Sequence, residues 1–302
     1  MTEPRSERLA AAAQVGGAVT AQIGAAIGAT AFPIAGPSAV VAIRQAFAAI
    51  VFLAIARPPV HRMRWPQLWP PLVLAAALVV MNLSVYLAIE RLGLGLAVTL
   101  EFLGPLAVAL VASRRLVDAL LAVAAFGGVV LLTGTVPGID LIGIAAALLG
   151  ALGWAGYIVF SQVAGRRLPG VQGSAIALTV AAICTAPILV GALIGLDGED
   201  ALRLLGLGIA ASILSTLIPN AVDITVLRRM RRELFGVLQS AQPGIAALVG
   251  FIGLGQVLSG WQIAGLALIC AINAVAVLAA GRSRRAPRPI TEPIAVIGAG
   301  DG

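Results

Sequence analysis

The sequence has no lysine, a single histidine, two cysteines and few charged residues of either sign. Charged residues make up only 11% of the 302 residues and hydrophobic ones 60%, which leaves too few polar side chains to cover a water-soluble protein of this size. Cys184 and Cys270 stand alone inside apolar runs, so the sequence contains no disulfide framework and no CxxC metal motif. His61 lies in the basic loop RPPVHRMRW, where it is interpreted as solvated. We therefore expect no metal and no cofactor.

What the sequence has instead is a succession of apolar runs of about 20 residues, the length that crosses a hydrocarbon core of roughly 30 Å. They predict an all-α integral membrane protein with ten transmembrane helices, embedded in a lipid bilayer. The connections between the runs are too short to hold a folded catalytic domain. The predicted spans are 10–32, 37–56, 71–90, 94–112, 118–136, 141–164, 174–195, 203–226, 234–254 and 261–280.

The arginines predict how these spans are oriented. With the N-terminus inside, 17 of the 20 arginines fall in inner segments, while Arg91 and Arg203 lie outside and Arg44 lies within a span. By the positive-inside rule both termini are cytoplasmic, residues 1–9 as a short N-terminal segment and residues 281–302 as a disordered tail. The basic residues form no face interleaved with aromatic residues, so the net charge of +7 does not indicate nucleic-acid binding.

The two halves of the chain resemble each other. A shift of 138 residues without gaps gives 8 identities in the 30 positions from 82 to 111, and it pairs Asn82 with Asn220 and Pro105 with Pro243. We therefore predict two repeats, residues 10–138 and 139–280. Because each repeat holds five spans, the second must be inverted relative to the first. Inverted repeats are typical of secondary transporters, whose substrate site lies near the membrane midplane between the halves.

Polar residues inside the spans are the candidates for that site. A charge at the centre of a span costs about 2.5–3.5 kcal/mol on insertion scales, so such residues usually face a cavity or a partner. Gln22 is one polar residue of the first span. The residues predicted to form a substrate or proton pathway are Arg44, Asn82, Tyr86, Glu101, Pro105, Trp154, Tyr157, Asn220, Asp223, Gln239 and Gln242.

Glu101 is the most informative of these residues. Pro105 stands four positions later, where it removes the helical donor for the Glu101 carbonyl and predicts a kink. A carboxylate beside a free carbonyl suits the binding of an ammonium group or a proton. The alternative is a structural pair with Arg44, which is itself either a carboxylate anchor for an amino acid or a counter-ion of Glu101. A cavity that excludes water favours a protonated carboxyl group, and a nearby Arg44 opposes it.

Structural alternatives remain open for the other candidates. Asp223 lies close to the inner end of its span, where capping or snorkelling to the interface would explain it. Asn82 and Asn220 either join helices by hydrogen bonds or line the pathway from its two sides. Trp154 and Tyr157 either form an aromatic wall for a substrate or stand beside Gly150, Gly153 and Gly156 for packing alone.

Several segments resemble a known family. MNLSVYLAIERLGLGLAVTLEFLGPLAVALVASRRLVD, residues 81–118, closely resembles the corresponding stretch of bacterial threonine/homoserine exporters, members of the drug/metabolite transporter superfamily built from two EamA-type repeats. GWAGYIVFSQVAG, ILSTLIPN and ELFGVLQSAQPGIAALVGFIGLGQVLSGWQIAG are similar to further segments of the family. The resemblance covers residues 38 to 280 and is strongest in the first of these stretches.

The resemblance implies an exporter in the bacterial inner membrane, driven by protons and acting on small amino acids or related metabolites. Glu101 and Pro105 match the EF-x-GP motif of the family, and Asp223 stands where an acidic residue is usual. The chain departs from the pattern at Gln242 and Gln256, where the family usually has glutamates. Without these two carboxylates, Glu101 is the best remaining proton carrier and Asp223 the next.

Other classes of function fit less well. A membrane-embedded enzyme needs a nucleophile, a metal site or paired acids, and the GAGDG at the C-terminus lies outside every span without a partner aspartate. No P-loop and no HExxH motif occur. A channel needs a continuous polar ring or filter, which these few dispersed polar residues do not supply. Within transport, the export of drugs, nucleosides or sugar-like metabolites remains an alternative.

Overall fold

The computed structural model describes residues 3–112, 116–133, 140–226 and 232–285, and in these ranges it contains helices and connecting turns but no strand. The first half of the chain holds α1 (Glu3–Thr30), α2 (Phe32–Ala56), α3 (Trp65–Leu92), α4 (Leu94–Glu101), α5 (Leu103–Ala112) and α6 (Leu116–Thr133). The second half holds α7 (Leu141–Arg167), α8 (Gln172–Ile194), α9 (Gly198–Ser212), α10 (Ile218–Val226), α11 (Arg232–Gln239), α12 (Gln242–Leu254) and α13 (Gly260–Arg285).

Eight helical segments in the described ranges are long and apolar enough to cross a membrane. They coincide with eight of the ten predicted spans, since α9 and α10 join through the π-helical turn Ile213–Leu217 and α11 and α12 follow each other closely. The fourth and fifth predicted spans contain two shorter apolar helical segments, Leu94–Val108 and Leu120–Leu132. The apolar runs therefore predict the positions of the helices correctly. They do not predict that the helical segments of the fourth and fifth spans are shorter than the other eight.

Some boundaries differ from the prediction. The third span was expected to begin at residue 71, but α3 begins at Trp65. Pro66 is compatible with the first turn because its missing N–H has no helical partner there, and the Gln67 side chain accepts from the Arg64 N–H at 3.0 Å. At the other terminus α13 continues to Arg285, into the segment expected to be a disordered tail. The remainder of that tail, residues 286–302, lies outside the described residues.

The helix is interrupted where the sequence predicts a kink, at Glu101. Helix α4 ends at Glu101 and α5 begins at Leu103, because Pro105 offers no N–H to the Glu101 carbonyl. A second break separates α11 from α12, just before Pro243. The last residue of α11, Gln239, lies 138 positions after Glu101, the last residue of α4 (239 − 101).

Helices of one half pack mainly against helices of the other. Helix α3 packs on α7, α1 on α9 and α10, α2 on α8, and α6 on α13. The α3–α7 contact uses the predicted glycine face: a Cβ atom on Gly153 would come within 2.7 Å of the Met81 nitrogen, and one on Gly150 would lie 3.5 Å from the Val85 nitrogen. Where α1 meets the π-helical turn Ile213–Leu217, a Cβ on Gly24 would come within 2.6 Å of the Ser215 nitrogen. Small residues allow this close approach where the helices have no hydrophobic driving force between them.

Candidate functional site

A cavity of about 330 Å³ lies between the helices of the two halves. Ligand sites generally measure about 300–1,000 Å³, so this volume suits a small molecule. Pro105 is not among the lining residues, so its part is to break the helix rather than to face the pathway. The other ten predicted pathway residues all line the cavity: Arg44, Asn82, Tyr86, Glu101, Trp154, Tyr157, Asn220, Asp223, Gln239 and Gln242.

Arg44 occupies one wall of the cavity, on α2. The residue is 8% exposed, and its guanidinium donates to the Asn82 Oδ1 at 3.3 Å and to the Thr216 Oγ1 at 3.2 Å. The Tyr86 ring covers one face of the guanidinium, with 4.6 Å from Cζ to the ring centroid. The backbone of Arg44 is also hydrogen-bonded, because the Ser212 hydroxyl donates to the Arg44 carbonyl at 2.9 Å. Arg44 therefore joins α2 to α3 and to the π-helical turn.

Glu101 lies on another wall of the same cavity, at the end of α4. Its carboxyl group makes no hydrogen bond and no ion pair with any residue in the described ranges, and Arg44 influences it electrostatically without direct contact. Glu101 and Arg44 form no ion pair, which was the structural alternative for Glu101: among the described residues the one ion pair joins Arg91 to Asp140. Glu101 is therefore available to a ligand or a proton from the cavity.

Asn82 and Asn220 make equivalent hydrogen bonds in the two halves. The Asn82 amide donates to the Leu78 carbonyl at 2.9 Å, and the Asn220 amide donates to the Thr216 carbonyl at 2.6 Å. Each bond reaches back four residues, which turns the side chain along its own helix. The sequence left open whether Asn82 joins helices or lines the pathway, and Asn82 does both. It lines the cavity, and its Oδ1 accepts a hydrogen bond from Arg44 on α2.

Neutral amides line the wall formed by α1, α11 and α12. The Gln22 amide donates to the Gln242 Oε1 at 3.3 Å, and the Gln242 amide donates in turn to the Gln239 Oε1. Gln239 stands at the position that the offset of 138 pairs with Glu101 (239 − 101). The two halves of the cavity thus differ chemically: a carboxyl group lies at one position, and a hydrogen-bonded chain of amides lies around its counterpart.

Aromatic rings complete the lining. Trp154 meets Phe102 edge to face, with 4.6 Å between the ring centroids, and both rings border the cavity. Tyr157 lies one turn further along α7, and Asp223 borders the same space from α10. Asp223 therefore faces the cavity, in contrast to the interfacial capping that its place near a span end had suggested.

Sequence reasoning missed several polar residues of this site. Gln45, Ser174, Ser215 and Thr216 all line the cavity. The Thr216 hydroxyl accepts a hydrogen bond from Arg44, and its carbonyl accepts one from Asn220. One signal was available for Thr216, which precedes Asn220 by one helical turn. The π-helical turn Ile213–Leu217 that directs these hydroxyl groups inward has no reliable sequence signal, although such turns are frequent at functional sites.

The two ends of the cavity differ. At the end near Arg91, α4 lies against α12: the Gln256 Oε1 accepts from the Leu94 N–H at 2.8 Å, and a Cβ on Gly95 would come within 2.9 Å of the Ala247 Cα. Gly93, whose φ of 85° favours glycine, lets the Gln256 side chain approach the start of α4. At the opposite end, lining residues such as Ser174 and Asp223 are partly exposed. Near Arg91, by contrast, the lining residues Ile89 and Val98 are buried.

Comparison with known proteins gives a family, two similar relatives and one similar solved structure. Residues 141–278 match the EamA-like transporter family. The threonine/homoserine exporter RhtA of Salmonella typhimurium (strain LT2) is 37% identical over 270 residues, which cover 88% of this chain and 90% of that protein. RhtA of Escherichia coli (strain K12) is 37% identical over 255 residues, or 83% and 85% of the two chains. One protein of known crystal structure is 20% identical with a TM-score of 0.54, covers 91% of this chain and 99% of its own, and is evidence of the fold alone.

Proposed function

This chain belongs to the threonine/homoserine exporter family of EamA-type transporters, and from that premise we propose that it exports small amino acids of the threonine and homoserine kind across the bacterial inner membrane. The observation that carries the proposal is the 37% identity to RhtA over 88% of the chain. The family and the apolar helices make it a multi-pass membrane protein. Relatives named as exporters imply transport rather than catalysis.

The cavity supports a small zwitterionic substrate. Its volume of about 330 Å³ lies at the lower end of the range for ligand sites, and its wall carries one cation, Arg44, and two acidic residues, Glu101 and Asp223. The amide and hydroxyl groups between them offer partners for a substrate hydroxyl. A large apolar drug would leave these polar groups without partners, which is costly inside a membrane.

For the mechanism we propose alternating access between two inverted repeats of five spans each. Three observations support this arrangement: α4 and α11 end at positions that are 138 residues apart, Asn82 and Asn220 make equivalent hydrogen bonds, and the helices pair across the halves. The arginine distribution supports cytoplasmic termini, which puts the Arg91 end outside. We assign the structure to an inward-facing state, because the lining residues Ile89 and Val98 near Arg91 are buried, whereas Ser174 and Asp223 at the proposed inner end are half-buried.

We further propose that Glu101 couples export to protons. In the outward-facing state it takes up a proton from the outside, and in the inward-facing state it releases that proton to the cytoplasm as substrate enters. Its unpartnered carboxyl group in the cavity supports this role. The neutral amides of Gln239 and Gln242 at the counterpart wall leave no second carboxyl group there. The remaining pathway residues line the route of the substrate between the two repeats.

Reconstituted transport tests the proposed function. Proteoliposomes loaded with labelled threonine or homoserine are diluted into acidic buffer, so that protons enter as substrate leaves, and efflux is compared with protein-free liposomes. We expect efflux of both amino acids, faster with the proton gradient than without it. Efflux that ignores the gradient contradicts the proton coupling. The absence of efflux under all gradients contradicts the substrate assignment, and screening nucleosides, sugars and drugs then addresses the alternative within the same fold.

A further inference from the structure

We propose that Arg44 binds the carboxylate of the transported amino acid, with Glu101 facing its ammonium group, so that the cavity selects zwitterions. This assignment rests on the proposed function, because it names how the exported substrate is held. It also decides between the two roles that the sequence left open for Arg44, since a direct ion pair with Glu101 is absent.

The first argument is that the charge of Arg44 lacks a counter-ion. The residue is only 8% exposed, yet the groups that it contacts, an amide, a hydroxyl and a tyrosine ring, are all neutral. Removing a cation from water is expensive unless an anion compensates for the loss of hydration. A substrate carboxylate that enters the cavity supplies that anion.

The second argument concerns the unused donors of the guanidinium. An arginine side chain offers five N–H donors in a planar fork. Asn82 and Thr216 each accept one, and the buried Nε has no hydrogen-bond partner. The Tyr86 ring at 4.6 Å fixes the plane of the fork, while Arg44 remains part of the cavity wall. A planar fork that is held in place and has free N–H groups matches the two oxygens of a carboxylate.

The third argument is the position of the opposite charge. Glu101 borders the same cavity from α4 while Arg44 borders it from α2, and the carboxyl group of Glu101 is without a hydrogen bond or ion pair in the described parts of the chain. An amino acid carries one charge of each sign on neighbouring atoms, so it can satisfy both residues at once. An amine without a carboxylate leaves Arg44 uncompensated, and a carboxylate without an amine leaves Glu101 unmatched.

The proposal also explains how a proton and a substrate exclude each other at one residue. A protonated Glu101 has no charge with which to hold an ammonium group, whereas an ionised Glu101 does. Binding of the amino acid and binding of the proton at Glu101 are then alternatives, which is the requirement for antiport. Arg44 keeps its charge in both cases and retains the specificity for carboxylates.

The experiment compares L-threonine with threoninol, the same compound with its carboxylate reduced to an alcohol. Binding of each is measured by titration calorimetry on the purified full-length protein, for the wild type, Arg44→Gln and Arg44→Lys. We expect the wild type to prefer threonine by at least tenfold. Arg44→Gln should lose at least tenfold in affinity for threonine and change less than about threefold for threoninol, so that the preference disappears. Arg44→Lys keeps the charge without the fork, and we expect an intermediate loss.

Ser161→Ala is the matched control, since Ser161 bonds only within its own helix α7, to the Ile158 carbonyl at 3.1 Å, and is not part of the cavity lining. It should retain the preference of the wild type. Thermal unfolding establishes that each variant is folded, and if Arg44→Gln does not fold, the result for Arg44→Lys decides. An unchanged preference in a folded Arg44 variant, or an equal loss for both compounds, overturns the carboxylate assignment alone. A wild type that binds neither threonine nor homoserine overturns the proposed function, and this assignment with it.

Discussion

A carboxyl group in an apolar span, such as that of Glu101, raises the free energy of membrane insertion. Glu101 lies at a helix break, and its side chain lines the cavity. Sequence reasoning identified the residue and the break, because both depend on local chemistry. Reasoning from the sequence alone left open whether Arg44 neutralises it. The separation of two side chains on α2 and α4 depends on how those helices pack, and no local pattern encodes that distance.

We predict that Glu101→Gln uncouples transport from protons. Glutamine has nearly the same shape, but its amide neither takes up nor releases a proton at physiological pH. At saturating threonine the variant should therefore exchange labelled for unlabelled substrate, while the stimulation of transport by a proton gradient falls at least tenfold. Both rates are measured in proteoliposomes. Glu90→Gln, which removes an exposed carboxylate outside the cavity, serves as the control and should keep the stimulation. If Glu101→Gln responds to the gradient as the wild type does, Asp223 becomes the leading candidate.

A second residue-scale prediction concerns the Arg91–Asp140 pair, at 2.6 Å. Hydrogen bonds from the Gly143 N–H, and then from Arg91, hold the pKa of Asp140 below its ordinary value. A lowered pKa in the folded state means that the ionised carboxylate adds stability above the ordinary aspartate pKa of about 3.9, and that this stability is lost as pH falls through the lowered value. The pair therefore stabilises the Arg91 end of the molecule at neutral pH.

Asp140→Asn keeps an oxygen that can cap α7 but removes the charge. We expect the variant to melt at a slightly lower temperature than the wild type near pH 7. The difference should shrink as pH falls below about 4 and vanish below the lowered pKa of Asp140. Thermal unfolding of the detergent-purified protein between pH 3 and 8 measures this. The control is Asp197→Asn, which caps α9 and forms no ion pair within the described ranges. A difference that persists unchanged at the lowest pH contradicts the assignment to charge.

At the scale of elements, the broken helices distinguish this fold from a simple bundle. The break between α4 and α5 was predictable from Pro105, and Pro243 follows the break between α11 and α12 in the same way. The close contact of α4 with α12 was not predictable, since it joins segments about 150 residues apart (247 − 95). The contribution of Gln256 was equally hidden: the sequence marked it as a departure from the family, and only the structure brings its side chain to the Leu94 N–H.

We predict that Gln256→Ala favours the outward-facing state. The change removes the hydrogen bond to the start of α4, which contributes about 1 kcal/mol or a shift of roughly fivefold in a two-state equilibrium. The measurement uses Val98→Cys in a background without Cys184 and Cys270, because Val98 borders the cavity and is 5% exposed. A membrane-impermeant thiol reagent added from outside should label it several times faster in the Gln256→Ala background.

Gln256→Glu provides the matched control for this experiment. A carboxylate oxygen accepts the Leu94 N–H equally well, and its charge is favourable at a helix N-terminus, so labelling should remain as slow as in the parent protein. Equal labelling rates in all three backgrounds contradict a gating function for this contact and leave Gln256 with a purely structural one.

At the scale of the whole molecule, we predict that the N-terminus, the C-terminus and the arginine-rich turns lie in the cytoplasm. Single cysteines replace Glu199, in the first turn of α9, and Pro169, after α7, in the same background without native cysteines. An impermeant thiol reagent applied to intact cells should label Glu199→Cys at once and Pro169→Cys only after permeabilisation. If Pro169→Cys is labelled at once and Glu199→Cys only after permeabilisation, the true orientation is the opposite one. The Arg91 end of the cavity then faces the cytoplasm, and the structure represents an outward-facing state.

The sequence by itself determined that this protein lies in a membrane and that it is helical. It also determined the helix break at Glu101 and the glycine face of α7. Each follows from hydropathy, proline chemistry or side-chain size over a few residues, and these act wherever the segment lies. The tertiary structure alone decided that Arg44 meets Asn82, Thr216 and Tyr86 rather than Glu101, and that Gln256 covers the start of α4. Those contacts join distant segments, and their geometry follows from how whole helices pack, which local chemistry does not specify.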